Sequence, residues 1–230
     1  MIGSAALGIW FDLHSGDRED FEGWYRRQHL PERLGVPGFM RGRRYRAAGG
    51  GHPEFFTLYE TRDGDVLSSA PYLERLNDPT PWTRRALPRM ARMVRNGYRL
   101  LATGPDVLGA RLLTVRILPH AGRGPAVRDA LAKEAVGAVR QLGGVAGCAV
   151  YETLPAAGSI VTEERKIVGG EVTSAPPYLA LCEHEDEAAA GVLDAFWRAW
   201  ARAQAADVTV DVFRLLYGLG WIEGPGGATA

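Results

Sequence analysis

The chain contains the same succession of hydrophobic segments twice, and this internal repetition constrains its fold more than any other feature. Three matching pairs of segments occur in the same order along the chain, which is hard to obtain by chance. We therefore interpret the sequence as two copies of one module. The pairs are LGVPGFMRGRRY with LGGVAGCAVYET, FTLYET with LALCEH, and YRLLATG with FRLLYGLG.

Each copy is predicted to have the order β-α-β-β-α-β, which is typical of the ferredoxin-like, or split βαβ, fold. We place the first copy at residues 1–105, the second at 106–220 and a tail at 221–230. The predicted strands cover about 5–13, 38–47, 54–61, 95–103, 111–118, 145–154, 177–184 and 207–218. The predicted helices cover about 18–34, 125–142 and 186–205, with short helices in the proline-rich stretch 62–94 and a long excursion at 155–176.

A four-stranded antiparallel sheet with helices on one side leaves its other face uncovered. Two such modules can cover those faces by packing sheet to sheet, with the helices outside. Strands such as LGIWFDL and LLTVRIL are apolar on both faces, as this packing requires. The sequence therefore predicts an α+β fold in which two tandem ferredoxin-like repeats form a pseudo-dimeric α/β barrel.

Composition excludes several classes of function. The chain of 230 residues carries 27 basic and 27 acidic residues, so it lacks the positive charge expected of a nucleic-acid binder. No apolar run approaches the length of a membrane span, and the N-terminus has no basic region typical of a signal peptide. Cys148 and Cys182 lie in apolar runs and are predicted to be buried free thiols, which fits a reducing, cytoplasmic location.

One stretch of the first copy resembles a known family. The segment DFEGWYRRQHLPERLGVPGF, followed by a β-rich segment and LNDPTPWTRR, is similar to the EthD-like branch of the dimeric α/β-barrel superfamily. The likeness covers residues 5–105 and extends to 106–220 only through the internal repeat. It implies the fold but no single reaction, because the superfamily includes cofactor-independent monooxygenases, cyclases, decarboxylases, isomerases, lyases, heme-dependent dehydratases and non-catalytic members.

The first predicted helix, for which Asp17 is the predicted N-cap, carries the group best suited to catalysis. Aromatic residues at intervals of three or four give it an apolar stripe, and His29 lies beside that stripe. Pro31 cannot donate a backbone hydrogen bond, so the helix should loosen there and form the mouth of a pocket. We predict His29 as the general base or acid, oriented by Asp12 or Glu32.

The pocket is expected between the first sheet and its helices. Carrying the repeat register back along the helix places Ala138 opposite His29, which suggests that the second copy is mainly scaffold. Asp12 has an alternative role in ending its strand, and Glu60 has a counterpart in Glu183 that favours a structural ion pair. The residues predicted to shape the pocket are Trp10, Trp24, Tyr25, Arg43, Tyr72 and Trp82.

Some of these residues have alternative interpretations. Arg43 belongs to the run RGRRYR, whose side chains are solvated or stacked unless one of them anchors an anion. Tyr72 and Trp82 lie on an irregular segment and act either as a cap over a ligand or as an interface anchor. His29 and Glu32 lack a third metal ligand, so no metal is expected.

The leading hypothesis is a cofactor-independent enzyme that acts by proton transfer on a small, largely apolar, aromatic or polyketide-like molecule. It would be a lyase, decarboxylase, cyclase or isomerase. No G-x-G-x-x-G or P-loop sequence is present to indicate a nucleotide cofactor. The alternatives are a cofactor-free monooxygenase, a non-catalytic binding protein and a heme protein that uses His29 as axial ligand. The expected partner is a small molecule, with no nucleic acid, no membrane and a possible homodimer.

Overall fold

The computed structural model describes residues 2–14, 16, 18–154, 161–168 and 172–220, so the predicted N-cap Asp17 and the tail 221–230 lie outside the described residues. The strands are β1 Ala5–Leu13, β2 Phe39–Ala47, β3 Phe55–Thr61, β4 Met90–Thr103, β5 Arg111–Pro119, β6 Val145–Thr153, β7 Val172–Thr173, β8 Tyr178–His184 and β9 Ala206–Gly220. The helices are α1 Arg18–Trp24, α2 Leu30–Leu34, α3 Ala70–Asn77, α4 Pro81–Ala86, α5 Gly124–Ala130, α6 Val136–Val139, α7 Glu163–Ile167 and α8 Glu187–Gln204.

Eight of the strands form a closed antiparallel barrel. They follow the order β1-β3-β2-β9-β5-β8-β6-β4, and β4 returns to pair with β1. The order is β4-β1-β3-β2 within the first half of the chain and β9-β5-β8-β6 within the second, so corresponding strands occupy corresponding places. The predicted α+β class is confirmed. The two sheets also join edge to edge through β2–β9 and β4–β6, which closes the barrel.

Strand alternation divides the hydrophobic core into three parts. On β1, Ala6 and Trp10 point into the barrel, whereas Leu7, Ile9 and Phe11 face the helices of the first half. The first-half helix layer is the cluster that surrounds Leu7, Trp24 and Tyr59, and the second-half helix layer is the cluster that surrounds Leu131 and Trp197. Strands β1, β3 and β8 are therefore buried on both faces, inside the barrel and under helices, whereas β9 has exposed residues along its length.

Two elements differ from the sequence-based expectation. Strand β4 begins at Met90, within the stretch expected to be irregular, because Met90 and Val94 pair with Leu13 and Trp10 of the neighbouring strand β1. A register shift between Trp10 and Asp12 interrupts this pairing, and Arg92 adopts a φ of 49° there. The excursion at 155–176 contains helix α7 and the two-residue strand β7, which pairs in parallel with β4.

No helix among the described residues is long and apolar enough to cross a membrane.

Candidate functional site

A cavity lies in the first-half helix layer, between strand β1 and the helical segments outside it. The space open to the centres of water-sized atoms is about 70 Å³, enough for several waters or a flat organic molecule. Its lining is mostly apolar and includes Leu7 and Ile9 from β1. The polar residues of the lining are His29, Arg33, Tyr25, Tyr59, Tyr72, Arg95, Thr162, Glu164 and Arg165.

A π turn between α1 and α2 positions the imidazole. It spans Tyr25–His29, and the N–H of Leu30 donates to the carbonyl of Tyr25. Such turns inside helices occur frequently at functional sites. The second half has a π turn at the corresponding place, Leu131–Ala135, and no proline follows it there. Pro31 therefore accompanies the loosened turn without being required for it.

His29 is buried against two aromatic rings. Its ring centroid lies 4.4 Å from that of Trp24 and 4.9 Å from that of Tyr25. Its Nδ1 atom is buried and has no hydrogen-bond partner among the described residues. Burial, followed by the positive charges of Arg33 and Arg44, holds the pKa of His29 well below its usual value of 6.5. The imidazole is therefore neutral at pH 7 and keeps a lone pair available for a proton.

A buried ion pair closes one side of the cavity. Arg33 Nη2 donates to both carboxylate oxygens of Glu164, at 2.5 Å each. Burial alone lowers the pKa of Arg33, but the carboxylate of Glu164 outweighs it, and the net pKa lies above the usual value. Glu164 belongs to helix α7, so a segment of the second half covers a cavity of the first half.

Three tyrosines are among the six remaining polar residues of the lining, the others being Arg95, Thr162 and Arg165. The Tyr25 hydroxyl donates to Thr57 Oγ1 at 3.0 Å, and the Tyr72 hydroxyl accepts from Arg95 Nη2 at 3.1 Å. The Tyr59 hydroxyl is buried close to the Tyr25 hydroxyl and makes no hydrogen bond of good geometry among the described residues. Burial raises the pKa of Tyr25 and raises that of Tyr59 well above 10, so both phenols remain protonated.

The structure brings several of the predicted pocket residues together. Tyr25 and Tyr72 line the cavity, and Trp24 packs directly on His29. Tyr72, on α3, covers the cavity as a cap would. Trp82 packs on the outside of the same cluster, where its Nε1 donates to Asp20 at 3.1 Å, and it does not line the cavity.

Trp10 and Asp12 lie on the opposite face of β1, so the expectation that they share a pocket with His29 is wrong. Trp10 is inside the barrel. Asp12 Oδ1 accepts from the backbone N–H of Glu54 at 2.8 Å and lies 2.8 Å from His52 Nδ1, and its Oδ2 accepts from Arg92 Nε at 2.6 Å. Its carboxylate is thus held at the end of the barrel by a separate set of partners.

Arg43 and Glu32 also lie away from the cavity. Arg43 points into the barrel, where it pairs with Glu183 and lies 3.4 Å from Glu60. The predicted structural role of Glu60 is confirmed, since Arg41 also pairs with it at 2.5 Å. Glu32 is half-buried beside an outer recess and does not line the cavity with His29.

The second half provides an internal comparison for the site. The strand register and both π turns place position 29 opposite position 135, so the residue opposite His29 is Ala135 and the expected Ala138 is wrong by three positions. Ala135 is buried, whereas Ala138 is exposed. In the second half, a recess beside Thr103 and Glu183 has about 10 Å³ open to the centres of water-sized atoms, against about 70 Å³ in the first-half cavity.

Six polar residues of the cavity were missed by sequence reasoning: Arg33, Tyr59, Arg95, Thr162, Glu164 and Arg165. Arg33 follows His29 by four residues, a spacing that could have indicated a shared helix face. Tyr59 occupies an apolar-looking strand and gave no signal beyond its residue type. Glu164 reaches the site from the excursion, and nothing local to its sequence indicates that placement. Within the described residues, no cluster of three His, Cys, Asp or Glu side chains could hold a metal ion.

Solved structures share this fold over nearly the whole chain. An anthrone oxidase-like protein superposes with a TM-score of 0.59 at 12% identity, covering 99% of this chain and 98% of its own. A putative monooxygenase of Fusobacterium nucleatum gives 0.55 at 8% identity, covering 96% of each chain. A chlorite dismutase of Candidatus Nitrospira defluvii gives 0.52 at 9% identity, covering 94% and 92%.

No protein-family model matches the chain, and no curated protein matches it. Since the structural neighbours are so distant in sequence, they establish the barrel fold alone.

Proposed function

We propose that this protein is an enzyme that removes a proton from a small, largely apolar, aromatic or polyketide-like molecule bound in the first-half cavity, without a cofactor. One observation carries the proposal: a neutral, buried imidazole with an unpaired nitrogen lies in the wall of an apolar cavity. A group of this kind, in the wall of a largely apolar cavity, is characteristic of a general base.

The proton transfer can be written from the residues present. The C–H or O–H bond of the substrate breaks, its proton moves to the imidazole, and the electron pair remains on the substrate as an enolate or phenolate. The apolar walls exclude water, which strengthens the attraction between this anion and the cations nearby. Isomerisation, cyclisation, dehydration or decarboxylation can follow from such an anion once the proton returns or a leaving group departs.

Hydrogen exchange tests the proposal directly. Anthrone, an aromatic ketone with an acidic methylene group, is incubated with the protein in D2O, and the loss of the methylene proton signal is followed by NMR. We expect the protein to accelerate exchange and the His29→Ala variant to lose about 100-fold or more of that acceleration. His14→Ala, which removes an exposed histidine, is the matched control and should behave as wild type. No acceleration by wild type, or equal acceleration by His29→Ala, contradicts the proposal.

A cofactor-free monooxygenase is the second candidate, and the names of two structural neighbours favour it. In this reaction, the carbanion left by proton removal reduces dioxygen, one oxygen atom enters the substrate, and the other leaves as water. The same anthrone assay separates the two candidates, because oxygenation consumes dioxygen and yields the quinone. Exchange without oxygen uptake supports the proton-transfer enzyme, and uptake that depends on His29 supports the monooxygenase.

A heme ligated by His29 does not fit these residues. The positive charges of Arg33 and Arg44, which disfavour a proton on the imidazole, disfavour a metal cation there in the same way. An absorption spectrum of the protein as isolated would contradict this conclusion if it contained the intense Soret band of heme. Binding without turnover is the remaining alternative, and the exchange assay excludes it when wild type is active.

The finer architectural interpretation is that residues 1–105 and 106–220 are tandem ferredoxin-like repeats from an EthD-like ancestor. The matching strand orders of the two halves support it. A homodimer of the chain stays a prediction that light scattering would test.

A further inference from the structure

Three residues that line the cavity have buried polar atoms without hydrogen-bond partners among the described residues. They are Nδ1 of His29, Nη1 of Arg33 and the hydroxyl of Tyr59. Each such atom costs roughly 1–3 kcal/mol if it remains unsatisfied, so native structures rarely collect them in one place. Their convergence on one cavity indicates a ligand that supplies the missing partners.

Arg33 provides a fixed positive charge at the cavity wall. Its side chain is 3% exposed, and Glu164 occupies its Nη2 nitrogen from one side. The Nη1 nitrogen is left with hydrogen atoms to donate and no acceptor. A guanidinium in this situation binds an oxygen that carries negative charge, because a charge-assisted hydrogen bond is about twice as strong as a neutral one.

Tyr59 provides a second donor from strand β3. Its ring lies against Phe39 at 5.8 Å, edge to face, and position 42 beside it must be small. A Cβ atom added to Gly42 would lie 3.2 Å from the Tyr59 ring and 2.7 Å from Leu30. Burial raises the pKa of Tyr59 well above 10, so its hydroxyl keeps the proton that it would donate.

We infer that Arg33 and Tyr59 form the oxyanion-binding side of the cavity, and that the substrate is an enolisable or phenolic aromatic ketone whose oxygen they bind while His29 takes the proton. The inference rests on the proposed function for the role of His29, whereas the binding of the oxygen stands on the two donors alone. It narrows the substrate class from any apolar molecule to one that presents an acidic hydrogen next to a carbonyl or hydroxyl oxygen.

The second half agrees with this assignment. The register that pairs Gly42 with Tyr59 pairs Cys148 with Cys182 at the corresponding place, so a cysteine stands where Tyr59 stands. All three unpartnered groups are replaced together by small or apolar residues, Ala135, Val139 and Cys182, in the half where packing fills the space.

Binding of 4-nitrophenol, with nitrobenzene as the probe that lacks the hydroxyl, tests the inference. At a pH where the free probe is mostly protonated, wild type should bind it as the yellow phenolate, about tenfold or more tighter than nitrobenzene. Tyr59→Phe removes only the hydroxyl and should weaken phenolate binding about tenfold. The double variant Arg33→Met with Glu164→Gln removes the cation without leaving an unpaired carboxylate, and it should weaken binding at least as much.

Tyr45→Phe is the matched control, because the Tyr45 hydroxyl is also buried without a partner among the described residues but lies inside the barrel. It should change phenolate affinity less than twofold. The inference is wrong if nitrobenzene binds as tightly as 4-nitrophenol, if neither probe binds, or if Tyr59→Phe and Tyr45→Phe behave alike.

The two proposals can fail separately. Phenolate binding that depends on Tyr59, without anthrone exchange, supports the oxyanion side and overturns the proton-transfer function. Anthrone exchange that depends on His29, with phenolate binding that does not depend on Tyr59, supports the proton-transfer function and overturns the oxyanion-binding side.

Discussion

The two helix layers of this protein flank the same barrel with the same strand order, yet one contains a cavity with polar groups and the other is filled with apolar side chains. Trp197 and Leu131 are fully buried in the second-half layer, and the Trp197 Nε1 donates to Cys182 Sγ at 3.3 Å. Strand register and the π turns make the following pairs equivalent: Tyr25 and Leu131, His29 and Ala135, Arg33 and Val139, Arg44 and Val150, Thr57 and Ala180, Tyr59 and Cys182.

This difference separates what the fold needs from what the site needs. A layer with alanine, leucine and valine at these positions folds with the same strand order, so the polar set of the first half is not required for folding. Polar groups buried without partners oppose stability, so the collection of three of them around one cavity of the first layer points to a function there.

Separating the halves should have the largest effect. A chain of residues 1–105 would leave β2 without β9 and β4 without β6, and it would expose the inner face of the barrel. We expect it to aggregate or to form homodimers, as measured by size-exclusion chromatography and thermal unfolding. A monomeric half that unfolds cooperatively would show that the first layer does not depend on the second.

Placing histidine in the second layer tests whether that layer has room. Ala135→His should lower the free energy of unfolding by about 3 kcal/mol, because the site is filled and offers no partner for the ring nitrogens. Ala138→His is the control on the exposed side of the same helix and should stay within about 0.5 kcal/mol of wild type. Urea denaturation measures both, and equal stabilities would contradict the contrast between the layers.

Removing histidine from the first layer should affect chemistry and spare stability. His29→Ala should reduce anthrone exchange about 100-fold, while the free energy of unfolding changes by less than about 1 kcal/mol. The lost contact with the Trp24 ring is offset by no longer burying an unpaired nitrogen. Thermal midpoint and exchange rate are measured on the same preparation, and a large drop in the midpoint would make His29 structural.

The smallest expected effect is a pH dependence. Because the pKa of His29 is lowered in the folded state, the unfolded chain binds a proton below about pH 6.5 that the folded chain does not. Above that pH, titration of this imidazole does not change the free energy of unfolding. As the pH falls towards 5.5, it lowers the free energy of unfolding by about 1 kcal/mol. His29→Ala should therefore lose less stability between pH 7.5 and 5.5 than wild type does, as urea denaturation at several pH values would measure.

The pH dependence of catalysis also tests whether the pKa of His29 is lowered. Because the neutral imidazole persists below pH 6.5, kcat/KM for exchange should decline only at a lower pH than a solvent-exposed histidine would give. A midpoint at or above 6.5 would contradict the buried environment of His29.

Much of the barrel could be predicted from sequence because local hydrophobic periodicity and turn residues encode strands and helices directly. The predicted first strand coincides with β1, Ala5–Leu13, and the helical region 18–34 coincides with α1, the π turn and α2. The early start of β4 at Met90 could not be predicted, because its pairing partner is far away in sequence and its residues lack a clear alternation.

The candidate site was only partly predictable for a related reason. Alternation correctly placed Trp10 and Asp12 on one face of β1, but it could not tell which face looks into the barrel and which looks at His29. Both faces of β1 are buried, so hydrophobicity does not indicate which face looks into the barrel.

The sequence by itself determined the internal repetition, the α+β class, most strand positions and the imidazole at the pocket, because each depends on residues that are neighbours along the chain. Only the tertiary structure decided that His29, Arg33 and Tyr59 share a cavity. It also decided that Glu164, which is 131 residues from Arg33 in the sequence, closes that cavity. Such contacts depend on how a closed barrel orients its strands and on where a distant segment packs. A linear pattern of residue types does not encode either of these.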